Sequence, residues 1–525
     1  MRPPTSLYRL LCLLTTLISM MALTFPAAAT SADPFAAALD DKMPGWLSYY
    51  DVPGAVVSYI EDGAVVWTRA YGVKDATTQA PMTPDAIFNH GSNGKTLTAW
   101  GVMHLVEEGR IDLDAPVEKY LKRWHFPPSE FDANEVTIRR LLSHTAGLGI
   151  HGYPQYDLRR PLPTLEQVLS GQNQDQPPLE ILWPPGSRVE YSGGGFALLQ
   201  MVIEDVTGEP YERYMQREIM QPLGITQGGW TWTPVLRAMA ATPHGFHLDP
   251  YRYKNLAVQS IGSFNSSVSD FARFLAANMS GPNGELPGRG VLTPETIARM
   301  MTPQPNTNGT TGLAFGTGRL GGSTRIVSHS GHNFGWFALF VLAPDARNGF
   351  VVAANADSAD PLNYSVLKLW AESAMDSYAG LPPSLLNRIE VGPDPFAVGS
   401  VIIGAILMVS SGLIIWRMMR RVQSGLRRFQ PKLSARALAL ALPGILVVGF
   451  WWYLFHSELP LPLATTFPEC YWPREIGMIS IGLALWAALG MIVALFPKVI
   501  RSETDRTAIK ERRSQPVSVT ASHHI

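Results

Sequence analysis

Strand-like segments sit near the two ends of the first 380 or so residues of this chain, with helix and loop between them. Residues 55–60 and 64–70 read as strands joined through Glu61-Asp62-Gly63, a hairpin-type turn. Strand patterns return at residues 325–328, 336–342 and 350–354. The intervening chain carries helical patterns at residues 92–108, 196–207, 211–220, 269–279 and 293–301, and helices at 35–50 and 361–378 flank the whole. Strands at both ends with helices between them predict one α+β domain whose sheet pairs its N- and C-terminal segments. A polar, Pro- and Gln-rich stretch at residues 151–178 is expected to line or cover a cleft.

Beyond that domain the composition changes abruptly. Residues 396–416, 437–455 and 476–496 are apolar stretches near the length a bilayer requires. The link between the first two is basic (Arg417, Arg420, Arg421, Arg427, Arg428, Lys432, Arg436), and so is the tail at 497–525. The link between the second and third holds Arg474 against Glu458, Glu469 and Glu475. The excess of positive charge on cytoplasmic segments predicts three transmembrane helices, a cytoplasmic tail and residues 30–395 outside the cell membrane. An N-terminal segment with Arg2 and Arg9, an apolar run at 10–25 and Ala27-Ala28-Ala29 predicts a signal peptide over 1–29, which requires the same orientation. Its removal leaves Cys470 as the single cysteine, so no intrachain disulfide is expected. The formal net charge of −1 gives no basis for nucleic-acid binding.

Four clusters in the outer domain carry chemistry. Ser92 opens the predicted helix at 92–108, and Lys95 lies one turn later on the same face. A serine hydroxyl is a poor nucleophile until a base takes its proton, and a partly desolvated lysine near a helix N-terminus can be that base. The same spacing recurs at Ser365 and Lys368, where an ordinary amphipathic helix accounts for it, so spacing alone equally describes a helix cap beside a solvated lysine. Tyr191, in Glu190-Tyr191-Ser192-Gly193-Gly194-Gly195, is expected on a turn before a helix, where a phenol can shuttle a proton. His329-Ser330-Gly331-His332 is expected after a strand, with a glycine that lets a substrate backbone come close. His144, after Leu141-Leu142-Ser143, is expected to orient a loop. Singly, each also reads as an interface tyrosine, a glycine turn or a capping histidine.

In their order, Ser92-x-x-Lys95, Tyr191-Ser192 and His329-Ser330-Gly331 resemble the penicillin-recognising serine hydrolases, in the branch of class C β-lactamases, D-alanyl-D-alanine carboxypeptidases and related esterases. The segments 140–148, 198–208 and 266–272 share the likeness, which spans roughly residues 35 to 380. The resemblance implies a β-lactamase-like domain over 30–385, an antiparallel sheet flanked by helices plus a helical subdomain. It implies that Ser92 is acylated, Lys95 is its base partner and Tyr191 relays the proton. It further implies that His329 stands where many relatives have lysine, and that the N–H groups of Ser92 and His332 form an oxyanion hole. No metal or organic cofactor is implied, and the expected substrate is a small ester, amide or peptide. The second motif usually reads Tyr-x-Asn. Gly193 at the third position is expected to weaken recognition of β-lactams and peptides more than acyl transfer to simple esters, and Gly193→Asn to shift the balance back. An α/β-hydrolase lacks its G-x-S-x-G elbow here. A zinc hydrolase built on His244 and His247, or on His329 and His332, lacks an H-E-x-x-H context. The alternative from another class is a catalytically silent binding or sensory module signalling through its membrane helices. The oligomeric state is not legible.

Overall fold

The computed structural model describes residues 33–172, 175–246, 248–320, 323–375, 410, 412–425 and 442. The chain divides into two units, Met1–Glu390 and Val391–Ile525. Of the second, the described part is essentially a helical run within 412–425. Among the described residues no helix is long and apolar enough to cross a membrane. The predicted spans at 396–416, 437–455 and 476–496 lie outside the described residues apart from 410, 412–416 and 442, as do the signal segment, the tail and Cys470.

The first unit is built on an antiparallel sheet of seven strands. In chain order these are β1 (Gly54–Glu61), β2 (Ala64–Asp75), β3 (Ala80–Pro81), β4 (Gly316–Leu320), β5 (Thr324–Asn333), β6 (Trp336–Ala343) and β7 (Asn348–Ala354). They lie in the order β3-β2-β1-β7-β6-β5-β4. β1 pairs with β7 from Ala55↔Ala354 to Ile60↔Gly349, so the two ends of the domain meet in the middle of the sheet, as the strand placement predicts. β6 and β7 are buried along their whole length because helices cover both faces, which is why β6 and, after Asn348-Gly349, β7 read as unbroken apolar runs. On one face Phe350 meets Phe35 of α1 (Pro34–Tyr50) and Trp370 of the closing helix Asp360–Ser373. On the other, Val351 and Ala353 join the main core, where the helix Val268–Ala276 packs.

The helical part is centred on α2 (Gly94–Glu107), which packs against α3 (Gly193–Thr207). Three elements differ from the sequence reading. Ser92 lies in a 3-10 turn, Gly91–Asn93, ahead of α2 rather than in it, because Gly91 takes a left-handed φ of 51° there. His329 to His332 lie within β5, not after it, since β5 continues to pair with β6 as far as Asn333↔Trp336. The predicted helix at 211–220 is α-helical over Tyr211–Met215 and changes to a π-helical turn over Gln216–Met220. β4 gave no strand signal in the sequence: in Gly316-Thr317-Gly318-Arg319-Leu320 two glycines flank Thr317, its single β-branched residue, and there is no apolar alternation.

Candidate active site

β4 pairs with β5 only as far as Gly316↔Ser328, so from His329 onward one edge of β5 is unpaired within the sheet. That edge approaches the Gly91–Asn93 turn. The approach requires glycine on both sides. A Cβ on Gly331 would stand 2.0 Å from the His90 carbonyl oxygen and 2.8 Å from the Ser92 nitrogen. A Cβ on Gly91 would stand 2.6 Å from the His332 nitrogen. The turn is held from behind by Asn89, whose Oδ1 accepts the Gly91 N–H at 2.9 Å.

Lys95, in the first turn of α2, is 2 % exposed and has no carboxylate partner among the described residues. Its Nζ donates to Ser92 Oγ at 3.0 Å and to the Ile261 carbonyl at 2.6 Å. The rings of Tyr191 and Phe196 lie 5.0 and 5.5 Å from the same nitrogen. Burial without a counter-charge lowers its pKa to about 7. Tyr191 precedes α3, with Ser192 as N-cap. Burial raises the phenol's pKa, and its hydrogen bond with the Ser92 hydroxyl opposes the rise.

Three imidazoles surround that phenol. His144 is 4.4 Å away between ring centres, His151 4.7 Å and His329 6.4 Å. His144 also binds the chain on either side of Tyr191: its carbonyl accepts the Glu190 N–H at 2.7 Å and its Nδ1 accepts the Ser192 N–H at 3.2 Å. His329 Nδ1 donates to the Ser330 carbonyl at 2.6 Å, and burial, with Lys95 nearby, lowers its pKa to about 4. The ring of His332 is engaged elsewhere, with Asp357 at 3.2 Å, so only its backbone faces the turn.

Ser92, Lys95, Tyr191 and His329 therefore come together, with Gly331 and the His332 backbone beside them, while no side-chain contact ties Ser330 to the group. Ser365 instead bonds Tyr50 at 3.0 Å and the Pro361 carbonyl, in an ordinary helix. His244 is taken up by the Ala76 N–H at 3.1 Å and by Asn355, and His247 lies outside the described residues. Among the described residues no group of three His, Cys, Asp or Glu side chains could hold a metal ion. The sequence reading missed the Ile261 carbonyl, which anchors Lys95 from 166 positions away, and no local pattern marks it.

Gly193 is occupied differently from the expectation. A Cβ there would stand 2.7 Å from the His151 carbonyl oxygen, which accepts the Gly193 N–H at 3.1 Å. The vacant space that Gly193→Asn was to refill is filled by backbone.

The beta-lactamase family model matches residues 35–372. The chain belongs to that family. Its members are generally serine hydrolases. This β-lactamase-family chain is 24 % identical to Protein flp of Staphylococcus aureus over 85 % of its own length and 87 % of the relative's. That share exceeds what residues 1–372 can supply, so the likeness continues into the C-terminal segment. It is 30 % identical to penicillin-binding protein 4 of Amycolatopsis lactamdurans over 48 % of this chain and 65 % of that one. It is 31 % identical to esterase EstB of Burkholderia gladioli over 39 % and 54 %. Among solved structures it resembles the octameric penicillin-binding protein homologue from Pyrococcus abyssi, with TM-score 0.52, 25 % identity and coverage of 65 % of this chain and 77 % of that one.

Proposed function

We propose that this chain is a membrane-anchored, extracytoplasmic serine hydrolase that cleaves simple esters through an acyl-enzyme on Ser92. The observation that carries this reading is the buried Lys95 ammonium site, without a counter-charge among the described residues, 3.0 Å from Ser92 Oγ. A lysine whose pKa is near 7 is neutral in a large fraction of molecules at physiological pH and can accept the serine proton.

In acylation the Ser92 oxygen attacks the ester carbonyl carbon while its proton passes to Lys95. The oxyanion accepts hydrogen bonds from the Ser92 and His332 N–H groups. Tyr191 hands a proton to the departing alkoxide and recovers one from Lys95, so an alcohol leaves and the acyl group stays on Ser92. Water then attacks the acyl carbon, gives its proton through Tyr191 to Ser92 Oγ, and the carboxylic acid is released. His329, neutral above about pH 4, supplies a polar neighbour to the phenol without a fixed positive charge. The anchor rests on the three apolar stretches and their flanking basic residues, and the signal segment supports the outer location.

A fluorophosphonate probe applied to the full-length protein in detergent should label it covalently, and Ser92→Ala should abolish labelling while Ser365→Ala retains it. Persistent labelling of Ser92→Ala would remove the assignment. An unmodified, folded protein that neither labels nor hydrolyses short acyl esters would favour the silent binding module instead.

A further inference from the structure

Asp357 lies just past the end of β7, in the 3-10 turn Asp357–Ala359, and it is 4 % exposed. A buried carboxylate is costly unless donors hold it. Two of its donors come from one short stretch of chain and meet the same oxygen. Oδ1 accepts the Gly335 N–H at 2.6 Å and the His332 Nε2–H at 3.2 Å. His332 stands near the end of β5, and Gly335 lies in the turn between Asn333 and Trp336 that leads into β6. One oxygen therefore ties the strand to its turn. Tyr251 is a further neighbour, and burial, then the Asp357 charge, raises the pKa of its phenol.

The clamp is anchored on its other side. The Asp357 N–H donates to the His244 carbonyl at 3.0 Å, and the His244 N–H donates to the Asn355 carbonyl at 3.1 Å. Gly335 packs on the same segment. It takes a left-handed φ of 75°, and a Cβ there would stand 2.6 Å from the His244 nitrogen.

What the clamp holds is the least supported part of β5. Past Ser328 the strand has β6 on one side and no strand on the other. On that free edge the His332 nitrogen comes to the nucleophile turn, 2.6 Å from where a Cβ on Gly91 would lie. A misplacement of about 1 Å beside reacting atoms can cost roughly 100-fold in rate. The His332 ring belongs to the residue whose N–H is to receive the oxyanion, so a bond to the ring restrains that N–H. The side chain is 39 % exposed, so water would satisfy the imidazole without any carboxylate. Its pairing with a buried one calls for another reason than solvation.

We propose that Asp357 is a positioning residue for the oxyanion hole, holding the His332 imidazole and the Gly335 N–H so that the His332 N–H stays against the Ser92 turn. The catalytic consequence rests on the acyl-enzyme reading above. The clamp itself does not.

The test uses the full-length protein and p-nitrophenyl butyrate. His332→Ala removes the ring and keeps both the backbone N–H and the Gly335 bond. It should lower kcat roughly tenfold with KM within about twofold, a part of the loss expected when a whole oxyanion donor is removed. His332→Gln offers the carboxylate an amide donor and should recover some of that rate. The thionoester analogue supplies a readout that lost stability would not move. Sulfur accepts hydrogen bonds poorly, so His332→Ala should shrink the oxoester-to-thionoester ratio of kcat/KM several-fold. Asp357→Ala should shrink it as well, and adding His332→Ala to it should cost nothing more, because both act through one bond. If Asp357→Ala does not fold, the alanine and glutamine variants at 332 still decide. An unchanged kcat and ratio in His332→Ala, no recovery in His332→Gln, or losses that multiply in the double variant overturns the inference. If the unmodified protein hydrolyses no ester, hydrogen exchange over residues 329–336 decides. Faster exchange in His332→Ala keeps the clamp and discards the hydrolase reading, and unchanged exchange discards the clamp.

Discussion

The carbonyl oxygen of His151 occupies the space that a side chain at Gly193 would enter, 2.7 Å from where its Cβ would lie. The same oxygen accepts the Gly193 N–H at 3.1 Å, and the neighbouring Ile150 carbonyl accepts that of Gly194. The first turn of α3 is thus capped by the loop that other residue types at 193 would have to displace. The backbone cannot yield as a flexible side chain would. Gly193→Asn is expected to lower stability by about 1–3 kcal/mol, the range for overpacking. It should leave the ratio of penicillin acylation to ester hydrolysis unimproved. Thermal unfolding and acylation by a fluorescent penicillin measure both, and a stable variant with enhanced penicillin labelling would show that the loop moves aside.

His144 holds Tyr191 from three sides: through Glu190, through Ser192 and by its ring face. It does so from a left-handed φ of 57°, which asparagine tolerates better than most residues. Asparagine also offers an acceptor near the position of Nδ1. His144→Ala should therefore reduce kcat on short esters by about tenfold or more with little change in KM, and His144→Asn should recover part of the loss. Equal losses in the two variants would mean that the imidazole ring, not the Ser192 hydrogen bond, positions the phenol.

Lys95 gives the site its pH dependence. With a folded pKa of about 7, the neutral amine grows as pH rises through that value, so kcat/KM should climb with an apparent pKa near 7. The same shift has a stability sign. The folded pKa is depressed below the lysine reference of 10.5, so the unfolded chain binds more protons between about 7 and 10.5. Stability then rises with pH across that window, and the penalty is fully present below it. Lys95→Met should abolish turnover and raise the unfolding midpoint at pH 7, with the gain shrinking as pH approaches 10.5. A pH-independent gain would place the cost of Lys95 in packing rather than in charge.

The proposed topology puts Cys470 outside and the basic segment 417–436 inside. A membrane-impermeant maleimide should modify Cys470 on intact cells. Modification only after the cells are opened would reverse the orientation, and the outer location of the hydrolase domain with it.

The sequence by itself determined the pieces that depend on local spacing. Lys95 follows Ser92 by three positions, and that is one turn in any helical setting. The apolar runs of β6 and β7 announce strands covered on both faces, and their place near the end of the domain predicts pairing with β1. Tyr191 before a glycine-rich helix start was legible for the same reason. What the tertiary structure alone decided are the contacts between residues far apart in the chain. Ile261 fixes Lys95, the paired glycines Gly91 and Gly331 bring β5 to the nucleophile, and His144 locks Tyr191. Whether Lys95 is a solvated charge or a base with a lowered pKa is set by its burial, and burial is a property of all the surrounding chain rather than of any segment. The role of Gly193 turned on the same distinction: the residue type suggested an empty site, and the backbone of His151 fills it.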